Sequence, residues 1–355
     1  MEKYQLGIEG AIKLVTIYDL AEKTGFSITT VSRALNNNKG VSEKTRKLII
    51  EEAANMGYYP NSIARSLTMK KSFTIGVIFT EDVVLGMNHP FFSVVIEGFK
   101  HRAERFGYDL IFQTRYIGKE KKSYVDHAYY RGVDGVIVVC FDYTDPEVLK
   151  LIESPIPSVI LDMYTDKANV LYSNNVYGCE LAIEHLHSLG HTEIAHIADD
   201  SGSFAGKERI KGCKLAADKF GVSITDSFGD GDEPFSIERG YSAMEKLLAQ
   251  DNVPTAVFAS SDTMALGAIK AIRDAGLSVP KDISMVGFDD IELAQHITPA
   301  LTTIRQNKEL MGRRAADILI NQMNQEEDQE EFNDYTAVVL PVELVIREST
   351  QRIKG

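Results

Sequence analysis

Hydrophobic positions change their spacing near residue 73. Before it they recur every three or four residues, the period of short amphipathic helices. Ile17, Leu20 and Ala21 share one face of a first helix. Gly25 supplies the left-handed residue that ends it, and Phe26 plugs the joint. Ser27 then caps a second helix, Ile28–Leu35. Its inward face is Val31, Ala34 and Leu35, and its outward face is Ile28, Thr29, Ser32 and Arg33. A short helix with hydroxyls and an arginine on its exposed turns suits a DNA major groove. Residues 36–40 are a loop by composition. Ser42 caps a third helix, Glu43–Met56, closed by Gly57, and Leu48, Ile49, Ala53 and Met56 complete a three-helix core. Pro60 stops the chain and Asn61 can cap a further helix. The stretch 62–67 has room for about two turns of helix, too few to hold alone in water. It carries Leu67, an apolar residue with no local core to enter.

From Phe73 onward the apolar residues come in continuous runs, as in strands buried on both faces. These runs are 74–79, 110–112, 135–139, 158–161, 194–197, 256–259 and 283–288. Helical stretches at 92–106, 177–189, 210–220, 236–248, 264–275 and 308–322 separate most of them. Alternating strands and helices predict doubly wound parallel sheets, an α/β fold. Ligands bind beyond the carboxyl ends of such strands. Here those ends read Thr80-Glu81, Phe141-Asp142, Asp162, Asp199-Asp200, Ser260-Ser261-Asp262 and Asp289-Asp290. Acids and hydroxyls recurring there can bind a hydroxyl-rich ligand, although any one Asp, Asp262 for instance, also serves as a helix cap. Two sets of strands, before and after about residue 175, predict two similar lobes facing across a cleft.

The net charge of −13 changes meaning once it is divided. Residues 15–71 hold nine Lys and Arg against five Asp and Glu, a net +4, which leaves −17 elsewhere. A basic module on an acidic body fits local contact with DNA. Cys140, Cys179 and Cys213 stand far apart, without metal-ligand spacing, and read as buried free thiols. The acidic stretch 324–334 reads as a solvated loop, and no metal site is expected. No run reaches membrane-spanning length, residues 1–14 lack an apolar signal core, and a cytoplasmic protein is expected. No phosphate loop, nucleophile elbow or Gly-x-Gly-x-x-Gly motif is present, so no catalytic residues are expected and an enzyme is not.

The stretches Val-Thr-Ile-Tyr-Asp-Leu-Ala at 15–21, Thr-Val-Ser-Arg-Ala-Leu-Asn at 30–36, Val-Ser-Glu-Lys-Thr-Arg at 41–46 and Gly-Tyr-Tyr-Pro-Asn-Ser-Ile-Ala-Arg-Ser-Leu at 57–67 run in family register without a gap. They closely resemble the lactose/galactose repressor family of bacterial transcriptional regulators. Later runs extend the likeness over nearly all of 72–348, among them Pro90-Phe91-Phe92-Ser93, Arg209-Ile210-Lys211-Gly212, Gly287-Phe288-Asp289-Asp290 and Thr298-Pro299-Ala300-Leu301-Thr302-Thr303-Ile304. The resemblance implies an N-terminal extension at 1–14, a helix-turn-helix headpiece at 15–60 and a hinge helix with linker at 61–71. It implies a periplasmic-binding-protein-like core at 72–348. The N-lobe is placed at about 72–175 and 303–335 and the C-lobe at about 176–302 and 336–348, with crossings near Asn175, Thr302 and Tyr335.

It also implies partners: a double-stranded DNA operator, a second copy of the chain, and a small-molecule effector, with a sugar expected. No cofactor and no membrane are implied. The DNA-contact positions are Thr16, Tyr18, Ser27, Ile28, Thr29, Thr30, Ser32, Arg33, Asn36, Ser42, Thr45, Tyr58, Asn61, Ala64 and Leu67. Ile28, Thr29 and Arg33 would choose bases, and Leu67 would wedge into the minor groove. The effector positions are Phe91, Phe92, Asp162, Arg209, Phe235, Ser261 and Asp289, with Arg209 at the opening of a helix. Many sugar-responsive members carry Asn where Ser261 stands. Alternatives are a sugar receptor with no DNA role, and a regulator controlled by a nucleobase or a phosphorylated carrier protein.

Overall fold

The structure is a computed structural model, and it describes residues 15–59, 71–79, 86–139, 145–325 and 335–353. The chain divides into two compact units, Met1–Ser72 and Phe73–Gly355.

Among the described residues of the first unit, three helices pack together: α1 (Ile17–Thr24), α2 (Ile28–Leu35) and α3 (Glu43–Met56). Leu20, Ala21, Val31, Ala34, Ile49 and Ala53 are its buried core, with Phe26, Leu35, Met56 and Tyr58 against the rim. Gly25 and Gly57 end α1 and α3 with φ of 73° and 67°. Leu48, expected in the core, is 46% exposed. Ile49, Ala53 and Met56 hold the inward face at four- and three-residue spacing, which turns Leu48 about 100° away from it. The expected hinge residues Asn61, Ala64 and Leu67 lie outside the described residues, as do Cys140, the strand ends at 80–81 and 141–142, the extension 1–14 and most of the acidic stretch.

The second unit holds two six-stranded sheets. The first runs in the order β13 (Ala337–Leu340), β7 (Asn169–Ser173), β6 (Ser158–Leu161), β5 (Gly135–Val139), β1 (Thr74–Phe79) and β2 (Asp109–Gln113), with every pairing parallel. Helices α4 (Phe92–Glu104), α5 (Tyr124–Arg131) and α6 (Pro146–Ile152) cover it, with a short hairpin of β3 (Tyr116–Ile117) and β4 (Glu120–Lys121) beside β2. The second sheet runs β14 (Val342–Val345), β12 (Thr302–Gln306), β11 (Ser284–Asp289), β10 (Ala256–Ala259), β8 (Glu193–Ala198) and β9 (Ser223–Phe228). Among the described residues its β12–β14 pairing is antiparallel and the others are parallel. Its helices are α7 (Asn175–Ser188), α8 (Phe204–Phe220), α9 (Ile237–Leu248) and α10 (Asp262–Asp274). Each sheet is buried on both faces, as the continuous apolar runs require.

Helix α11 (Lys308–Met323) follows β12 but packs in the core of the first sheet. The chain therefore crosses between lobes at Asn174, Asn307 and Pro341. The first crossing is where the sequence places it; the other two correct the boundaries at 302 and 335. Strand β12 is polar at every position but Ile304 yet pairs with β11, Val286 opposite Thr302. Pro341 divides one apolar run between two sheets: Leu340 accepts a bond from Asn174 N at 2.9 Å, and the proline has no N–H to continue the ladder.

Candidate functional site

The headpiece presents three helix N-termini, each closed by a hydroxyl. Thr16 accepts from Asp19 N at 3.3 Å, and Asp19 Oδ2 accepts from Thr16 N at 2.8 Å, a reciprocal capping box. Ser27 accepts from Thr30 N and Ser42 from Thr45 N. The hydroxyls of Thr30 and Thr45 lie 2.9 and 2.8 Å from those same caps. These five hydroxyls hold helix ends whose remaining N–H groups favour anions. Arg46 secures the loop after α2, donating to Ala34 O at 3.1 Å and Asn38 O at 2.9 Å. Tyr18, Ile28, Thr29, Arg33 and Asn36 are exposed, while Ser32 and Tyr58 are half-buried.

In the second unit a small pocket of about 20 Å³ lies between the lobes. Its lining includes Phe91, Phe92, Asp162, Arg209, Phe235, Ser261 and Asp289, all seven positions singled out from the sequence. His89, Ala205, Thr263 and Gln306 also line it and were missed. Phe91 stands at the N-cap of α4 and Phe92 begins it, and Asp162 directly follows β6. Asp162, Phe235 and Asp289 have φ of 50°, 53° and 121°. Side chains rarely take such backbone angles, and they cluster where a site demands them.

Arg209 is the buried cation of the pocket. It sits in the second turn of α8 rather than at its opening, because Ser203 caps that helix by accepting from Gly206 N at 3.0 Å. Its Nε donates to Asn175 Oδ1 at 2.9 Å and one Nη to the carbonyl of Ser260. The other Nη is 3.7 Å from Asp289 Oδ1. Asp289 also accepts from Gln306 Nε2 at 2.6 Å, while Lys308 Nζ donates to the Asp289 carbonyl. The second amide atom, Gln306 Oε1, is buried and has no hydrogen-bond partner among the described residues.

Burial dominates the electrostatics. It pushes the Asp162 carboxyl up to about 6, with Arg209 pulling down and Asp289 adding to the rise. Asp289 is raised by the same burial, against Arg209 and Lys308. Burial and Arg209 hold His89 down at about 4. The pocket thus gathers aromatic faces, one fixed cation and two carboxylates poised to take hydrogen bonds.

Two strand-end groups have other tasks. Ser261, not Asp262, caps α10, accepting from Met264 N at 3.1 Å. Asp262 is fully buried and accepts from Ile291 N at 2.8 Å and from the Thr303 hydroxyl. Asp199 and Asp200 accept from Arg239 at 3.2 and 2.8 Å.

Residues 16–61 match the pattern of bacterial regulatory proteins, lacI family, and residues 183–350 that of the periplasmic binding protein-like domain. The HTH-type transcriptional repressor PurR of Pasteurella multocida is 34% identical over 343 residues, 95% of this chain and 99% of that protein. The chain belongs to the lacI family of bacterial regulatory proteins. Its fold matches that of another lacI-type protein, the lac repressor dimer bound to operator and the anti-inducer ONPF, with a TM-score of 0.80 and 30% identity over 96% of this chain and 100% of that one. The transcriptional regulator CelR–cellobiose complex matches with a TM-score of 0.66 and 28% identity over 94% and 99%. No helix among the described residues of this lacI-family chain is long and apolar enough to cross a membrane, and none of its described His, Cys, Asp and Glu residues group as a metal site.

Proposed function

We propose that this lacI-family protein is a transcriptional repressor that binds a near-palindromic operator as a homodimer, with its DNA affinity set by a sugar in the interlobe cavity. The observation that carries the reading is the make-up of that cavity. Phe91, Phe92 and Asp162 come from the first lobe, and Arg209, Phe235, Ser261 and Asp289 from the second. A ligand gripped from both sides favours one arrangement of the lobes over another. That difference in affinity is what couples binding to a change of state. Aromatic faces suit the C–H surface of a sugar ring, and Arg and Asp suit its hydroxyls. The relative solved with cellobiose supports the class.

On the DNA side, Ile28, Thr29 and Arg33 read bases, with Arg33 contacting guanine for about 1–3 kcal/mol of discrimination. Tyr18, Asn36 and the capped helix ends position the backbone, and paired Leu67 side chains wedge the minor groove. A nucleobase is the second reading of the cavity, favoured by aromatic rings from both lobes that could enclose a flat ring. A melting screen of the full chain against sugars and nucleobases tests both. A ligand at a hundred times its dissociation constant adds about 2.7 kcal/mol to the folded state. Stabilisation by sugars supports the proposal, by nucleobases alone the second reading, and by neither it removes both.

A further inference from the structure

Strand β8 reads Glu193-Ile194-Ala195-His196-Ile197-Ala198, and its one histidine is fully buried in an otherwise apolar interior. Both ring nitrogens are engaged. Nδ1 lies 2.8 Å from Asp226 Oδ1 on β9, the residue beside it in register. Nε2 lies 2.8 Å from the hydroxyl of Ser260, just past β10. With a neutral imidazole, Nδ1 donates to the Asp226 carboxylate, which only accepts, and Nε2 is left to accept from the Ser260 hydroxyl.

Carboxylate, imidazole and hydroxyl stand in the order of a hydrolytic triad. They are not placed to hydrolyse anything, because His196 and Ser260 are both 0% exposed and no acyl group can reach the hydroxyl. A fully satisfied buried network of this kind fixes the groups it joins, whatever its net effect on stability.

What the histidine does reach is the pocket arginine, by two routes. Ser260, held by His196 through its hydroxyl, gives its carbonyl to Arg209. The imidazole also stacks on Phe258, 5.3 Å between centres and 12° from parallel. Phe258 lies 6.5 Å from Phe288, and the Arg209 guanidinium sits 3.8 Å over the Phe288 ring.

We propose that His196 is a positioning residue of the effector cavity: anchored by Asp226, it fixes Ser260 and Phe258 and so holds the Arg209 guanidinium in its ligand-ready place. The functional consequence rests on Arg209 being an effector ligand, as proposed above. The positioning itself is measurable without a ligand. Nitrogen-15 NMR of arginine side chains in the full-length protein reports it, with Arg209 assigned by its absence in Arg209→Lys. In His196→Leu and Ser260→Ala the Arg209 Nη protons exchange with water about tenfold faster than in wild type, because the Ser260 carbonyl that accepts from them is no longer held in place. Asp226→Asn gives a smaller change of the same sign. His196→Gln, whose amide can accept from Ser260 and donate to Asp226, recovers most of the protection. Arg239 and Arg347, held by other carboxylates, keep their wild-type rates.

Ser260→Ala keeps every backbone group, so it remains informative where His196→Leu fails to fold. Wild-type exchange of Arg209 in Ser260→Ala overturns the proposal. So does equal loosening of Arg239 and Arg347, which would mark general loss of packing. If Arg209 responds as stated but no sugar or nucleobase binds, the effector reading fails and the positioning stands.

Discussion

The Arg209 guanidinium carbon stands 3.8 Å above the centre of the Phe288 ring. Gly178 leaves room for that ring, because a Cβ there would lie 2.5 Å from its Cε2. An arginine stacked on an aromatic face keeps its edges for directed bonds. Here those edges meet Asn175, Ser260 and Asp289. Arg209→Met should therefore remove the ligand-dependent rise in melting temperature, about 2.7 kcal/mol at a hundredfold excess, while operator binding without ligand persists. Paired melts with and without the stabilising sugar check this.

The buried carboxylate of Asp162 sets a pH dependence. Its folded value of about 6 lies above the ordinary 3.8. The folded state therefore holds a proton that the unfolded chain has lost between those values. The burial penalty is fully present above pH 6 and fades as pH falls toward 4. Asp162→Asn is expected to gain up to about 3 kcal/mol near pH 8 relative to wild type and almost nothing near pH 4. Urea titrations of both proteins across that range give the difference. A sugar whose hydroxyls donate to the carboxylate should bind more weakly as pH drops through 6, and His89, held at about 4, adds no step of its own near neutrality.

Helices α4 and α11 approach at Gly312, where a Cβ would lie 1.9 Å from the carbonyl of Val95. Gly312→Ala should destabilise the first lobe by about 1–3 kcal/mol through overpacking. A calorimetric scan with Gly276→Ala as a contrasting variant separates crowding from backbone strain. Gly276 has a positive φ of 78° but no atom within 4 Å of a Cβ.

The headpiece has its own small core, with Leu20 fully buried. Leu20→Ala should cost about 2–5 kcal/mol, enough to unfold so small a module while leaving the second unit intact. Circular dichroism would lose helix, DNA binding would fail, and sugar-dependent stabilisation would remain.

The cavity was legible where chemistry sits at a predictable structural place. Asp162 follows an apolar strand and Asp289 ends one, and Phe91 and Phe92 open an amphipathic helix. His89 precedes Pro90 in a segment with no periodicity, and Gln306 ends a strand whose only apolar residue is Ile304. Neither gave a signal. The short inner strand Asn169–Ser173, the edge strand Ser223–Phe228 and the short helices Tyr124–Arg131 and Pro146–Ile152 were missed for the same reason: brevity or partial exposure leaves too few apolar positions to define a period. The lobe boundaries went astray because β13 and β14 form one apolar run in sequence, and only pairing assigns each half to a different sheet.

The central claim is that the cavity controls the operator. The most direct measurement is a fluorescence-anisotropy titration, at fixed salt, of an operator selected from random DNA by the full-length protein, with and without saturating amounts of the sugar that stabilises it. The account predicts a near-palindromic site and a change in apparent Kd of about 5–150-fold, abolished in Arg209→Met. Equal affinity with and without a sugar that demonstrably occupies the protein would contradict it.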